Sequence, residues 1–272
     1  MAVAMQLLGI DFTSAPSRRK PITVARGARA GARLAVQRID RLVDFAAFED
    51  LLHEPGPWTG GFDFPFGLPR EFATSLELGA DAVSMMASLR QRCAARMEFR
   101  ALVDAWGNGR PVGQRLIHRS TDRAREGVSS TSPLQTRYVP VGFMYFEGMA
   151  RLLDAGVHLP GLRDGDPARV ALEAYPGFLA HELIGRRSYK NGADSERLIA
   201  RKDLLHALEL GRTRLGLRVA LSHALRDEVL ADAQGDLLDA LLCLVQAAWA
   251  STQPRYGLPE SVDAIEGWIV TA

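Results

Sequence analysis

Two acidic residues stand where apolar strands are predicted. Asp11 closes the run MQLLGID (residues 5–11), and Asp63 lies between two phenylalanines in the run GGFDF (residues 60–64). An isolated carboxylate in such surroundings is costly to desolvate unless it is paired, hydrogen-bonded or bound to a cation. If the two strands are neighbours, both carboxylates lie at one sheet edge and offer the hard oxygen ligands that Mg²⁺ or Mn²⁺ requires. The alternatives are a turn cap for Asp11 and a hydrogen-bonded turn residue for Asp63.

A third acidic position belongs to a long helical pattern. Residues 237–250 are almost wholly apolar, and the polar positions among them are Asp239, Cys243 and Gln246. With Asp236 in front, the spacings are three, four and three residues, which is one stripe on one helical face. Because a helix that is otherwise apolar is expected to be buried, the acidic stripe should face something that needs charge. The alternative is capping, with Asp236 at the N-cap and Asp239 in the first turn, where the helix dipole favours a carboxylate.

Two carboxylates from strands and one or two from a late helix match the ligand set of a two-metal phosphodiesterase. In such sites, ions about 3.5–4 Å apart activate a water molecule and stabilise the leaving oxygen. We therefore expect Asp11, Asp63, Asp239 and Asp236 to hold Mg²⁺ or Mn²⁺ and to be catalytic. No general-base histidine is needed for this chemistry.

Two further residues are candidates for the same site. Glu173 precedes the Tyr-Pro pair that ends a strand pattern, and it is either an additional catalytic carboxylate or an ordinary strand residue. Lys190 lies in the polar run SYKNG (residues 188–192), where it could contact a substrate phosphate or simply be solvated.

The elements that must position these residues follow from hydrophobic patterning. After the first strand, residues 21–25 and 34–39 are short β-type runs, and the Gly- and Arg-rich residues 26–33 between them indicate a turn. The first three strands are therefore predicted to form an antiparallel meander. A short helix from Phe45 leads to the Asp63 strand, and a later strand covers residues 169–174.

Helical patterns fill most of the remaining chain. They occupy residues 195–210, a stretch through Leu225, and residues 236–250. The resulting order predicts an α/β fold, with a mixed sheet covered by helices and crossover strands parallel to the first strand.

We expect one domain, residues 1–272, with a mainly helical and loop insertion at about 70–162. Within this insertion, residues 73–102 favour helix, residues 107–140 indicate a long loop, and residues 146–155 favour another helix.

Charge is balanced overall but unevenly distributed. The net charge is +1, yet residues 18–41 carry eight basic residues against one acidic residue, and residues 90–137 carry ten arginines against four acidic residues. Such patches suit a polyanion, which makes nucleic acid a hypothetical partner, although a charged run is more often a solvated surface. No apolar stretch approaches the length of a membrane span, so a cytoplasmic location is the default expectation. Cys93 and Cys243 have no metal-type spacing.

Several motifs occur in an order that resembles a known family. They are GID at 9–11, GFDFPFGLP at 61–69, EAYP at 173–176, DLLDAL at 236–241 and IEGWI at 265–269. The ordered set resembles domain-of-unknown-function family 429 (DUF429), described as predicted RNase H-like nucleases. This resemblance implies an RNase H-like fold related to Holliday-junction resolvases. It also implies that Asp11, Asp63 and Asp239 are metal ligands, with Asp236 and Glu173 as further members of the site.

Two other classes of protein compete with this interpretation. Actin-like and sugar-kinase ATPases also open with a strand ending Gly-x-Asp, but they place glycine after the aspartate so that backbone N–H groups can approach phosphate. Here the sequence FTSAP at 12–16 has no glycine and contains a proline. The second alternative is a non-catalytic binding module that keeps the fold. Dispersed carboxylates, or carboxylates neutralised by arginines, would favour it.

Overall fold

A mixed seven-stranded sheet forms the centre of the computed structural model, which describes residues 5–272. The strands are β1 (Gln6–Asp11), β2 (Ile22–Ala30), β3 (Arg33–Leu42), β4 (Trp58–Phe62), β5 (Val157–His158), β6 (Asp166–Glu173) and β7 (Arg218–Ala220). They lie side by side in the order β5-β6-β4-β1-β2-β3-β7. The first three strands form the predicted antiparallel meander. As predicted for the crossover strands, β4 runs parallel to β1, and β6 runs parallel to β4.

The predicted turn between the second and third strands is present but much shorter than residues 26–33. Strands β2 and β3 continue through residues 26–33 and are joined by a two-residue turn, in which Gly31 adopts a positive φ of 60°. Arg26 remains in the strand because its buried guanidinium forms ion pairs with Asp40, at 2.6 Å, and with Glu54, at 2.6 Å. Compensation by these carboxylates lets an arginine occupy a position that the sequence pattern assigned to a loop.

Helices cover both faces of the sheet. They are α1 (Phe45–His53), α2 (Arg70–Ser75), α3 (Ala82–Arg92), α4 (Arg96–Asn108), α5 (Val141–Asp154), α6 (Pro176–Ile184), α7 (Ser195–Glu209), α8 (His223–Ala231) and α9 (Asp236–Ala250). Alternate residues of β1 enter two different cores, as the two-residue period of a strand requires. Leu8 and Ile10 join the core that α1–α5 cover, whereas Leu7 joins the core of α6–α9.

The region predicted as an insertion is helical at both ends and irregular between them. Instead of one helix over residues 73–102, the chain forms α2, α3 and α4. A new helix begins at Ala82 because Asp81 and Ser84 form a reciprocal capping box. The predicted long loop is confirmed between α4 and α5, where two single-turn 3-10 helices occur at Val112–Gln114 and Thr121–Arg123. The next helix, α5, begins at Val141 rather than at the expected position 146.

Residues 263–272, the closing segment, connect distant parts of the fold. The Glu266 carboxylate accepts hydrogen bonds from the backbone of Arg70 at 3.0 Å and from the backbone of Ser120 at 2.9 Å. The Ile269 N–H donates to Thr121 Oγ1 at 2.9 Å. This segment therefore ties the loop between α4 and α5 to the start of α2. Within residues 5–272, no helix is long and apolar enough to cross a membrane.

Helix α9 packs directly on the middle of the sheet, and glycine makes this approach possible. A Cβ atom on Gly9 would lie 2.1 Å from the Ala240 carbonyl oxygen and 2.2 Å from the Leu244 backbone nitrogen. A Cβ atom on Gly61 in β4 would lie 2.6 Å from the Cys243 carbonyl oxygen. Because these neighbours are backbone atoms of one helix, any side chain at either position would push α9 away from the strands.

We expect Gly9→Ala to destabilise the protein by about 3 kcal/mol or more, since overpacking against backbone cannot be relieved by a rotamer change. Urea denaturation measures this loss. The matched control is Gly109→Ala, where an added Cβ meets no heavy atom within 4 Å, and the expected change is within about 0.5 kcal/mol. Equal stability of the two variants would show that α9 does not require this close approach.

Candidate metal centre

Three carboxylates converge at one edge of the sheet. Asp11 is the last residue of β1, and Asp63 follows the last residue of β4. The Asp63 N–H donates to the Ile10 carbonyl at 2.9 Å, which aligns the ends of the two parallel strands. Asp239 enters from the first turn of α9. One carboxylate oxygen from each residue lies within 4.8 Å of the other two. Asp63 was predicted to lie inside a strand, but β4 ends at Phe62, so Asp63 is the first residue after the strand.

Burial and mutual repulsion make the charged form of this cluster unfavourable. The pKa of Asp11 is raised well above its usual value, first by burial and then by the charges of Asp239, Asp236 and Asp63. The pKa of Asp63 is raised to about 7, chiefly by burial and by the Asp239 charge. A cation between the three carboxylates would remove both penalties. This electrostatic demand is the property expected of a cation site built from aspartates.

Lys190 already supplies one positive charge to the cluster. Its Nζ donates to Asp239 Oδ2, and the Tyr189 hydroxyl donates to Asp239 Oδ1. Burial disfavours a charged lysine, but the surrounding carboxylates, with Asp239 first among them, hold the pKa of Lys190 well above its usual value. The alternative of a merely solvated Lys190 is therefore wrong, because this lysine is an ion-pair partner of a candidate ligand.

Helix α7 fixes the loop that carries these two residues. The buried Arg201 donates to the carbonyl oxygens of Tyr189 and Gly192, each at 3.0 Å. Arg197 donates to the Lys190 carbonyl at 3.0 Å. Two arginines from one helix thus hold Tyr189 and Lys190 against Asp239.

Asp236, the fourth expected ligand, is not one of the three convergent residues. It is the first residue of α9, one turn before Asp239, and it contributes to the raised pKa of Asp11. The alternative role of Asp236 as N-cap is wrong, because Gly235 occupies that position with a φ of 85°. The Asp232 carboxylate instead accepts from the Leu237 N–H at 2.9 Å. Asp236 therefore stands beside the triad with its carboxylate uncommitted to capping.

Glu173 forms a separate buried ion-pair network. Its carboxylate accepts from Arg119 at 2.6 and 2.9 Å and from the Phe66 N–H at 2.9 Å. Arg119 also pairs with Asp122 at 2.8 Å, and Asp122 accepts from the Ser130 hydroxyl at 2.7 Å. Burial raises the pKa of Glu173, while Arg119 opposes that shift. This carboxylate is thus neutralised by an arginine, in contrast to the triad.

A cavity of about 210 Å³ connects the two groups of charges. Its polar wall includes Asp63, Glu173 and Lys190, and its apolar wall includes Val141 and Met144. Tyr175 also lines the cavity, and burial raises the pKa of its hydroxyl to about 12, so the phenol stays protonated at neutral pH. A substrate group entering here would reach one triad carboxylate and one lysine.

Sequence patterns missed two residues that shape this site. Tyr189 bonds a triad carboxylate, and the only signal was its place beside Lys190 in the SYKNG run. Arg119 neutralises Glu173 from within a loop that has no hydrophobic period, so its role could not be read from spacing.

Comparisons with known proteins add no assignment for this chain. No family model matches it, and neither the curated proteins nor the solved structures contain a significant match. The resemblance to DUF429 therefore stays a prediction that rests on the motifs themselves.

The raised pKa of Asp63 predicts a pH-dependent stability in EDTA. Because this pKa is about 7 in the fold, against an ordinary aspartate value of 3.8, the contribution of Asp63 is fully present below about pH 4 and is lost as the pH rises through 7. Asp63→Asn removes this loss, so the variant should become more stable than wild type by about 1–3 kcal/mol at pH 8. Thermal or urea unfolding at pH 5 and pH 8 measures the difference. Asp227→Asn, at an exposed site, is the control, and a pH-independent difference for Asp63→Asn would contradict the burial argument.

We predict a large coupling energy between Arg119 and Glu173, because their ion pair is buried. Arg119→Met leaves Glu173 and Asp122 unpaired and should cost about 3–5 kcal/mol, whereas adding Glu173→Gln should recover part of that loss. The exposed pair Arg90–Asp154 is the matched control, and a cycle with Arg90→Met and Asp154→Asn should give less than about 1 kcal/mol. Additive effects at Arg119 and Glu173 would show that their ion pair does not matter to the fold.

Proposed function

We propose that this protein is a metal-dependent nuclease with an RNase H-like fold, in which Asp11, Asp63 and Asp239 hold Mg²⁺ or Mn²⁺. The observation that carries the proposal is the convergence of these three carboxylates at the aligned ends of β1 and β4. Each was expected on separate grounds from its own stretch of sequence, and a chance meeting of three carboxylates, two of them buried, would be destabilising.

The sheet order supports the RNase H-like part of the proposal. Along β3-β2-β1-β4-β6, the first three strands are antiparallel and the next two are parallel to β1. This arrangement, with helices on both faces, is the one that the resemblance to DUF429 implies. The additional strands β5 and β7 lie at the two outer edges.

The donor set fits a hard divalent cation. Carboxylate oxygens are the preferred ligands of Mg²⁺ and Mn²⁺, which commonly bind one or two protein carboxylates and leave positions for water and substrate phosphate. When bound, such an ion supplies Lewis-acid stabilisation of the phosphate and lowers the pKa of a coordinated water. Asp11 and Asp63 would hold it from rigid strand ends, and Asp239 from a buried helix.

The chain's other residues orient this site and receive the substrate. Tyr189 and Lys190 fix the Asp239 carboxylate through one hydrogen bond to each oxygen. Lys190 also lines the cavity beside Asp63, so its ammonium can contact a substrate phosphate. Glu173 is committed to Arg119, and we assign it a positioning role, holding the cavity wall rather than touching the reacting atoms.

A specific observation favours a second candidate, a non-catalytic binding module. The Lys190–Asp239 ion pair partly balances the triad without a metal ion, and Arg119 balances Glu173. In such a module, Lys190 would take over the structural role of the cation. The two candidates differ in whether a divalent ion binds and whether nucleic acid is cleaved.

The deciding experiment is calorimetric titration with Mg²⁺ and Mn²⁺, combined with cleavage assays on labelled DNA, RNA, duplex and branched substrates. We expect saturable metal binding and metal-dependent cleavage in wild type. Asp11→Asn/Asp239→Asn should abolish the binding and lower cleavage at least about 100-fold, given that outer-sphere changes alone cost 10–100-fold. Asp164→Asn/Asp227→Asn, which removes the same charge from exposed sites, should change neither.

The outcomes separate the candidates. No metal binding with or without nucleic acid, and no cleavage, would favour the binding module and overturn the nuclease proposal. Asp236→Asn in the same assays tests the fourth expected ligand, because unchanged metal affinity would restrict the site to the three convergent aspartates.

A further inference from the structure

A second pocket, beside the candidate site, is lined by arginines and by no carboxylate. It has a volume of about 260 Å³. Its lining consists of Arg123, Arg125, Gly127, Val128, Ser129 and Arg186. We refer to it as the arginine pocket. Three arginines line one open concavity and give it a local excess of positive charge, which is the electrostatic property of an anion site.

The arginines of this pocket differ from their neighbours in having no acidic partner. Arg187 pairs with Asp203 at 2.6 Å and Arg214 with Glu182 at 3.4 Å. Among the residues that the structure describes, Arg123, Arg125 and Arg186 form no ion pair. Their charge is therefore available to a ligand.

A fourth arginine, Arg214, lies next to Arg125 and is repelled by its charge. Arg125 donates to the Thr271 carbonyl at 2.6 and 3.0 Å, and Arg214 donates to the same oxygen. Burial lowers the pKa of Arg214, and the charge of Arg125 lowers it further. Two guanidinium groups thus share one neutral acceptor, an arrangement that a bound anion would relieve.

The loop that carries two of these arginines is held in place. Asp122, adjacent to Arg123, is fully buried and accepts from Arg119 and Ser130. The Ser130 N–H donates to the Asp122 carbonyl at 3.0 Å. An anion binding here would order little additional chain, which favours affinity.

Position connects the arginine pocket to the triad. Ser129 lines the arginine pocket, whereas Ser130 and Thr131 line the cavity that contains Asp63 and Lys190. The two concavities are therefore lined in part by consecutive residues of one loop. A nucleic-acid strand carries several phosphates and can contact two neighbouring concavities, whereas a single small anion can occupy only one.

We infer that the arginine pocket binds a backbone phosphate of a nucleic-acid strand whose neighbouring phosphodiester lies at the carboxylate triad. This inference rests on the proposed nuclease function and names the second contact through which that site would hold its substrate. Arg123 and Arg186, which are both exposed, make the contact, while Arg125 is fixed by the Thr271 carbonyl.

The test is fluorescence anisotropy of labelled single-stranded DNA, single-stranded RNA and duplexes in EDTA, over a range of salt concentrations. Arg123→Gln/Arg186→Gln should raise Kd at least about fivefold and reduce the slope of log K against log salt by about one, the value of one lost phosphate contact. The matched control is Arg33→Gln/Arg218→Gln, which removes two exposed arginines where β3 and β7 begin, at the opposite end of the sheet from Asp11. It should leave the slope unchanged.

Each outcome bears on the inference. If the two double variants have equal slopes of log K against log salt, the inference is overturned. Metal-dependent cleavage would still test the proposed function. The inference would also be overturned if wild type binds no oligonucleotide but is stabilised by inorganic phosphate, and if this stabilisation requires Arg123 and Arg186. That result would assign the arginine pocket to free phosphate. Loss of cleavage in Asp11→Asn/Asp239→Asn is measured separately from oligonucleotide binding in EDTA. Failure of the proposed function can therefore be distinguished from failure of this inference.

Discussion

The close contact between α9 and the glycines of β1 and β4 determines the geometry of the whole site. Without side chains at Gly9 and Gly61, the backbone of α9 rests on the strands themselves. Asp239 therefore stands within reach of Asp11 and Asp63, at a separation that a normal helix-on-sheet layer would not give. The same packing buries α9 almost completely, so the carboxylate of Asp239 must find its partners among charged or polar neighbours rather than in water.

Two groups of buried charge share one cavity, but they are balanced in different ways. Around Glu173, Arg119 meets two carboxylates with well-formed hydrogen bonds, and the group is complete within the protein. Around the triad, three carboxylates face one lysine, and negative charge remains in excess. The first group makes the wall rigid, whereas the second retains the capacity to bind an added cation. This difference in charge balance is why Glu173 and the triad, although adjacent, receive different roles.

Local sequence patterns predicted the parts of the site that depend on a single strand or a single helix. The apolar runs before Asp11 and around Asp63, and the stripe on α9, were sufficient to group three aspartates and to give the sheet its antiparallel and parallel halves. Residues whose role depends on tertiary partners could not be predicted from local sequence patterns. The sequence pattern assigned Arg26 to a turn, because its burial in a strand depends on neutralisation by Asp40 and Glu54. Arg119 lies in a loop without any period, and its importance arises from contacts to Glu173 and Asp122 that spacing cannot reveal.

The closing segment has a consequence for how the protein is made. Its Glu266 and Ile269 bond Arg119 and Thr121, which lie in the loop between α4 and α5, about 150 residues earlier in the chain. Gln246 of α9 donates to Thr271 Oγ1 at 2.7 Å, so the same segment also secures the helix that carries Asp239. During synthesis, the preceding strands and helices can pair as they leave the ribosome, whereas these bonds can form only after residues 263–272 have emerged. The wall of the cavity that contains Arg119 and Ile269 is thus completed late in folding, because it joins segments that are far apart in the chain.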